Sequence, residues 1–138
     1  MTLLDAYALV AYLIGGPAQE KVKSLLREGG TAVATVNLAE TYDIAERVHS
    51  LPASLAYEKL EGLFAGPLAV VHLDPELAKR AAELRVDFYH RSHSPLSLAD
   101  AILIASARSG DRIATADPDV LATASKLGVE TVELPGQD

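Results

Sequence analysis

The chain has 138 residues, 49% apolar and 22% charged, a length that holds one hydrophobic core and a balance that excludes a disordered or fibrous polymer. Nineteen acidic residues against twelve Lys and Arg give a formal charge of −7, which argues against a nucleic-acid binder held by a broad basic surface. The absence of cysteine removes disulfides, thiolate zinc sites and cysteine nucleophiles together.

Thr2 to Leu4 reads as a short strand ending at Asp5, followed by a helix through Ile14 that Gly15, Gly16 and Pro17 close. Asp5 interrupts the apolar start and no Lys or Arg precedes Lys21, so neither a signal peptide nor a membrane span fits and a cytoplasmic protein with no membrane partner is expected. Pro17 suits the first position of a second helix, with Val22, Leu25 and Leu26 at helical spacing before Gly29 and Gly30. Thr31 to Val36 is a β-branched strand, and Asn37 is placed as the cap of a helix whose Leu38, Tyr42, Ala45 and Val48 share one face. Pro52 and Ser54 open a further helix carrying Leu55, Leu60, Leu63 and Phe64. Leu68 to Leu73 is a strand, and Asp74 with Pro75 starts a helix through Phe88. After a loop from His90 to Leu96, Ser97 caps a helix through Ser109; Arg112 to Thr115 is a strand, Pro118 to Leu127 a helix and Glu130 to Leu134 a last strand. Five strands alternating with seven helices predict one α/β domain over residues 1–138, a parallel sheet of order 3-2-1-4-5 with helices on both faces.

Common chemical motifs are absent: no G-x-G-x-x-G, P-loop, G-x-S-x-G or H-E-x-x-H occurs. His90 and His93 lack an obvious third nitrogen ligand and read as a solvent-facing pair rather than a zinc pair. What remains is acidic: Asp5 in LLDAYALV, Glu40 in VNLAE, Asp100 in SLADAILIASA and Asp117 in IATADPDV. Each has a plain local explanation, with Asp5 and Asp117 as helix caps, Asp100 in the acidic place of a capping box begun by Ser97, and Glu40 on a solvated face. Asp100, however, starts a helix that is apolar nearly all round, where an unpaired buried carboxylate costs several kcal/mol. Topology gathers the four, because sites in open α/β sheets form beyond the carboxyl ends of strands where the strand order reverses. In the predicted order that point lies between strands 1 and 4. Clustered carboxylates repel by roughly 4 kcal/mol per close pair at an effective dielectric near 20, so a neutralising cation is expected, and oxygen-only ligands select Mg²⁺ or Mn²⁺.

The segments LLDAYALVAYL, TVNLAE, SLADAILIASA and IATADPDVLATASKLGVETVELP, together running almost end to end, resemble the PIN domains, and among them the VapC-type ribonuclease toxins of toxin–antitoxin pairs. The resemblance implies a metal-dependent endoribonuclease in which Asp5, Glu40, Asp100 and Asp117 hold one or two Mg²⁺ or Mn²⁺ ions, with Thr115 as a supporting hydroxyl. The family usually carries a large apolar residue three places after its fourth acid; here Val120 stands there and Asp119 intervenes. Asp119 is therefore the alternative fourth ligand, and Asp117 is preferred because it directly follows the strand. Implied partners are single-stranded or loop RNA, a small antitoxin covering a hydrophobic groove, a second copy in a homodimer, and a higher assembly with the antitoxin. The helix of Leu55, Leu60, Leu63 and Phe64 is the candidate antitoxin contact, with ordinary core packing the plain reading for most of those residues.

RNA must reach an acidic protein, and the stretch from Lys79 to His93 is locally basic, with Arg85, Tyr89 and Arg91 as candidate RNA contacts and aromatic faces for stacking. The plain reading there is an i,i+4 pair of Lys79 with Glu83 and a core role for Phe88. Rival functions are a receiver domain, which could use Asp74 as acceptor but has Leu134 and Pro135 where a lysine should stand, and a phosphatase of the D-x-D type, which meets Tyr7 in its second place. A PIN fold that only binds protein or RNA, its acids merely capping helices, is the third.

Overall fold

The computed structural model describes residues 1–136. In chain order its elements are β1 (Thr2–Leu4), α1 (Ala6–Ile14), α2 (Gln19–Glu28), β2 (Thr31–Ala34), α3 (Thr35–Arg47), α4 (Ala53–Phe64), β3 (Leu68–Val71), α5 (Pro75–Phe88), α6 (Leu98–Ser106), β4 (Arg112–Thr115), α7 (Pro118–Lys126) and β5 (Glu130–Glu133). The strands pair in the order β3-β2-β1-β4-β5, and every pairing is parallel, as the strand–helix alternation predicts. Every residue of β1 and β2 is buried, the mark of inner parallel strands covered on both faces.

Side chains leave a strand alternately to its two faces, and this divides the core. Leu4, Val33 and Ala114 point into a layer with Leu9, Val22, Leu25 and Leu60, roofed by α1, α2 and α4. Leu3, Ala32 and Ile113 point the other way, against Ala81, Leu103 and Val120 from α5, α6 and α7 and Leu96 from the loop before α6. Leu3, Leu4, Leu9 and Leu103 are fully buried, each contributing on the order of 1.5–3 kcal/mol of transfer free energy.

Several boundaries depart from expectation for identifiable reasons. α2 begins at Gln19 rather than Pro17, because Gly16 (φ 126°) turns the chain and its carbonyl accepts the Gln19 amide at 3.2 Å. β2 stops at Ala34, where its register with β3 ends at Val71, and α3 starts at once. Asn37 is thus not a cap: the N-cap is Ala34, and Asn37 sits in the first helical turn, buried at 2% exposure. Val48 lies past the edge of the core and is exposed. β3 ends at Val71, two residues before Leu73. α6 ends at Ser106 instead of Ser109, since Ala107 turns extended and a tight turn follows in which Asp111 accepts the Arg108 amide at 2.8 Å and Gly110 adopts φ 88°.

Candidate active site

The sheet order reverses beside β1, and two loops leave the carboxyl ends of β1 and β4 side by side, with Leu4 in register with Ala114. Asp5 ends β1 and caps α1, its Oδ1 accepting the Ala8 amide at 2.9 Å. Asp117 follows β4 and caps α7, accepting the amides of Asp119 at 2.8 Å and Val120 at 3.4 Å. Ser97 and Asp100 form the expected capping box at the start of α6, with Asp100 Oδ2 accepting the Ser97 amide and Ser97 Oγ accepting the Asp100 amide. Replacing Ser97 with Ala should lower stability by about 1 kcal/mol, read as a melting-temperature drop of a few degrees.

These plain roles do not exhaust the residues. Asp5, Glu40, Asp100 and Asp117 line one open cleft of about 410 Å³ whose other walls are Ala6, Tyr7, Asn37, Ile44, Ala116 and Gly136. Among the described residues no basic side chain lines it. Asp119 is not among the lining residues either, so of the two candidates for the fourth acid it is Asp117 that faces the cleft. Among the described residues none of the four carboxylates joins a salt bridge.

The electrostatic consequence is a set of carboxyl groups held above their ordinary range. Asp5, 8% exposed, is pushed up to about 6, chiefly by burial, with the charges of Asp100 and Asp117 adding and hydrogen bonds from the Thr115 side chain and the Ala8 amide opposing. Burial also raises Glu40 against a hydrogen bond from Asn37, with Asp100 and Asp43 adding, and raises Asp100 against its Ser97 bonds, with Asp117 and Asp119 adding. Thr115, fully buried, serves two of the acids: its hydroxyl oxygen accepts the Asp117 amide at 3.0 Å, and its polar side chain is among the influences that lower the Asp5 carboxyl.

The donors are hard oxygens, the set that suits Mg²⁺ or Mn²⁺. Helix amides occupy Oδ1 of Asp5, Oδ2 of Asp100 and Oδ1 of Asp117, so each of these groups keeps its other oxygen outside those bonds. Among the described residues no three carboxylate or imidazole groups converge as a ready-made ion cage; the donors match a divalent ion in kind and in shared cleft.

Asn37 is the residue that sequence reasoning missed. Its Nδ2 donates to Glu40 Oε1 at 2.9 Å, across one helical turn, while its Oδ1 is buried with no partner, a deficit worth about 1–3 kcal/mol. The i,i+3 spacing of Asn37 and Glu40 was the available signal, hidden by the preference of Asn for caps.

The basic stretch lies elsewhere. Lys79 pairs with Glu83 and Arg80 with Glu76 along α5. Arg85 donates from Nε to the Leu96 carbonyl at 2.9 Å and lies 4.5 Å over the Tyr89 ring, so it ties α5 to the loop before α6. Arg91 is exposed, and none of Arg85, Tyr89 and Arg91 lines the acidic cleft. His90 Nδ1 accepts the amides of Ser92 at 3.2 Å and His93 at 3.1 Å, which gives that imidazole a local structural task. Phe88 packs on the core.

The PIN domain family model matches residues 2–126. The chain belongs to the PIN domain family. No curated protein matches it by sequence. Among solved structures, this PIN domain is similar to FitAcB from Neisseria gonorrhoeae (22% identity over 96% of this chain and 97% of that one, TM-score 0.68). It is also similar to a toxin–antitoxin complex from Klebsiella pneumoniae (19% identity, 88% and 91% covered, TM-score 0.64). A third is VapC20 of Mycobacterium tuberculosis, described as a sarcin–ricin loop cleaving toxin (18% identity, 99% and 92% covered, TM-score 0.63). The shared fold of these PIN structures agrees with the five-stranded order β3-β2-β1-β4-β5 found here. No helix among the described residues is long and apolar enough to cross a membrane.

Proposed function

We propose that this PIN domain is a Mg²⁺- or Mn²⁺-dependent endoribonuclease that acts on single-stranded or loop RNA as the toxin of a toxin–antitoxin pair. The observation that carries the reading is the cleft itself: four carboxylates from four separate elements, no basic side chain among the described residues beside them, and three of them with raised protonation. Capping accounts for Asp5, Asp100 and Asp117 singly; it does not account for Glu40, or for the opening of all four onto one cleft.

Asp5 and Asp100 would hold the ion, with Glu40 and Asp117 completing the oxygen set. A bound Mg²⁺ or Mn²⁺ supplies a Lewis acid that acidifies water and offsets charge on a phosphodiester. Thr115 fixes the loop at Asp117 and favours the charged form of the Asp5 carboxylate. The open mouth of the cleft admits an unpaired strand, whose phosphates face acids and therefore approach with the cation rather than through a basic surface.

The likeness to a structure described as a toxin–antitoxin complex supports a small antitoxin as partner, and a homodimer as the working form belongs to the same proposal. An apolar groove of about 270 Å³ adjoins the cleft and shares Tyr7 and Ile44 with it. The α4 helix is a poorer contact than its sequence promises, because Leu60 is fully buried while Leu63 and Phe64 pack on the core, leaving Leu55 exposed. The receiver alternative loses its acceptor: Asp74 caps α5 through the Leu77 amide at 2.8 Å and does not line the cleft.

The test is cleavage of single-stranded RNA with Mn²⁺, with Mg²⁺ and with EDTA, by wild type beside Asp100→Asn. Cleavage that needs the ion and falls on the order of a hundredfold or more in the variant is expected. Wild type that takes up no Mn²⁺ by calorimetry would favour a binding-only PIN module.

A further inference from the structure

We propose that Asn37 is a positioning residue, which holds the Glu40 carboxylate in the orientation that the cleft uses for a divalent cation; this rests on the metal-dependent reading above. Three observations carry it. First, Asn37 is 2% exposed, yet it lines the cleft along with Glu40. Second, its Nδ2 donates to Glu40 Oε1 at 2.9 Å. That pairing fixes the amide's orientation, since the opposite one would set Oδ1 against a carboxylate oxygen. Third, its Oδ1 is buried and unpartnered. The amide does not cap α3, whose N-cap is Ala34.

A buried amide with half of its hydrogen bonding unmet is a poor choice for packing, where an apolar residue of similar volume would serve. The return for that deficit is the one bond to Glu40. Without it a glutamate side chain has three rotatable bonds and would swing toward solvent, away from Asp100, whose charge it feels. With it, Oε1 is held and Oε2 is left for other work. Outer partners of this kind typically contribute 10–100-fold to metal affinity. Thr41 reinforces the turn from behind, its hydroxyl donating to the Asn37 carbonyl at 2.7 Å.

The experiment is a double-mutant cycle on the full chain with two readouts, Mn²⁺ affinity by calorimetry and kcat and KM on a single-stranded RNA. Asn37→Ala should weaken Mn²⁺ binding by roughly tenfold or more, with Glu40→Ala at least as damaging. Asn37→Ala added to Glu40→Ala should cost little further, because the amide acts through the carboxylate. Asn37→Ser, whose hydroxyl is too short to span the turn, should behave like Asn37→Ala and serves if the alanine variant folds poorly. Mn²⁺ affinity within twofold of wild type in both Asn37 variants, or losses that multiply in the double variant, would overturn this inference while leaving the metal reading intact. Wild type that binds no Mn²⁺ overturns the metal reading and this inference with it.

Discussion

Asp5→Asn should abolish Mn²⁺-dependent RNA cleavage and, in the presence of a chelator near pH 7.5, make the protein more stable than wild type. The two halves have one cause. Asp5 is buried and its carboxyl is pushed up to about 6 from 3.8, so the folded state binds its proton more tightly than the unfolded chain does. A raised carboxyl contributes stability that is fully present below pH 3.8 and is lost as pH rises through about 6. At neutral pH the ionised, buried group therefore costs on the order of 3 kcal/mol. Asn keeps the cap, because its carbonyl can accept the Ala8 amide as Oδ1 does, and it removes the repulsion from Asp100 and Asp117. A gain of about 1–3 kcal/mol is expected, read as a rise of several degrees in melting temperature together with a flatter stability profile between pH 4 and 6. Cleavage within a few-fold of wild type would remove Asp5 from the proposed ligand set. A variant less stable than wild type at pH 7.5 would show that the buried charge is better compensated than its surroundings imply.

Thr115→Val should be the most damaging change that leaves every carboxylate in place. Valine matches the shape of threonine in a fully buried position, so packing is preserved and the loss isolates the hydroxyl. That hydroxyl accepts the Asp117 amide at 3.0 Å, and its influence on Asp5 favours the charged carboxylate. Its removal should cost about 1–3 kcal/mol of stability and roughly 10–100-fold in kcat/KM. It should also move the acid limb of the pH–rate profile upward, because Asp5 loses an influence that favours its charged form. Thr115→Ser should restore both rate and profile. Equal rates for the valine and threonine proteins would reduce Thr115 to a structural hydroxyl.

How far the sequence led is clearest at the caps. Asp5, Asp74, Ser97 and Asp117 were legible as helix starts, and each accepts the amides that its position requires. Because those caps punctuate regular strand–helix alternation, the sheet order followed from connection rules, and the order placed the four acids at one end of the sheet. Asn37 shows the limit. Its type favours a cap, but β2 runs into α3 without an intervening loop, and only the burial of the side chain reveals its turn toward Glu40. Val48 failed because a helix's apolar stripe ends where its neighbours end, which spacing alone does not disclose. The basic stretch of α5 is mixed: the i,i+4 pair of Lys79 with Glu83 was legible from spacing, whereas the bond of Arg85 to the Leu96 carbonyl is a tertiary contact that local spacing does not disclose.

Three of the four acids in the cleft stand at helix starts, which changes what their crowding means for folding. The aligned peptide dipoles of α1, α6 and α7 each bring about half a positive charge to that end, so part of the carboxylates' repulsion is met by backbone before any ion arrives. That compensation comes from the backbone and needs no ion, in contrast to small zinc domains that are unfolded until loaded. On the metal-dependent reading proposed above, folding is therefore expected without the ion: a chelator should silence the site reversibly, and readdition of the ion should restore it without refolding.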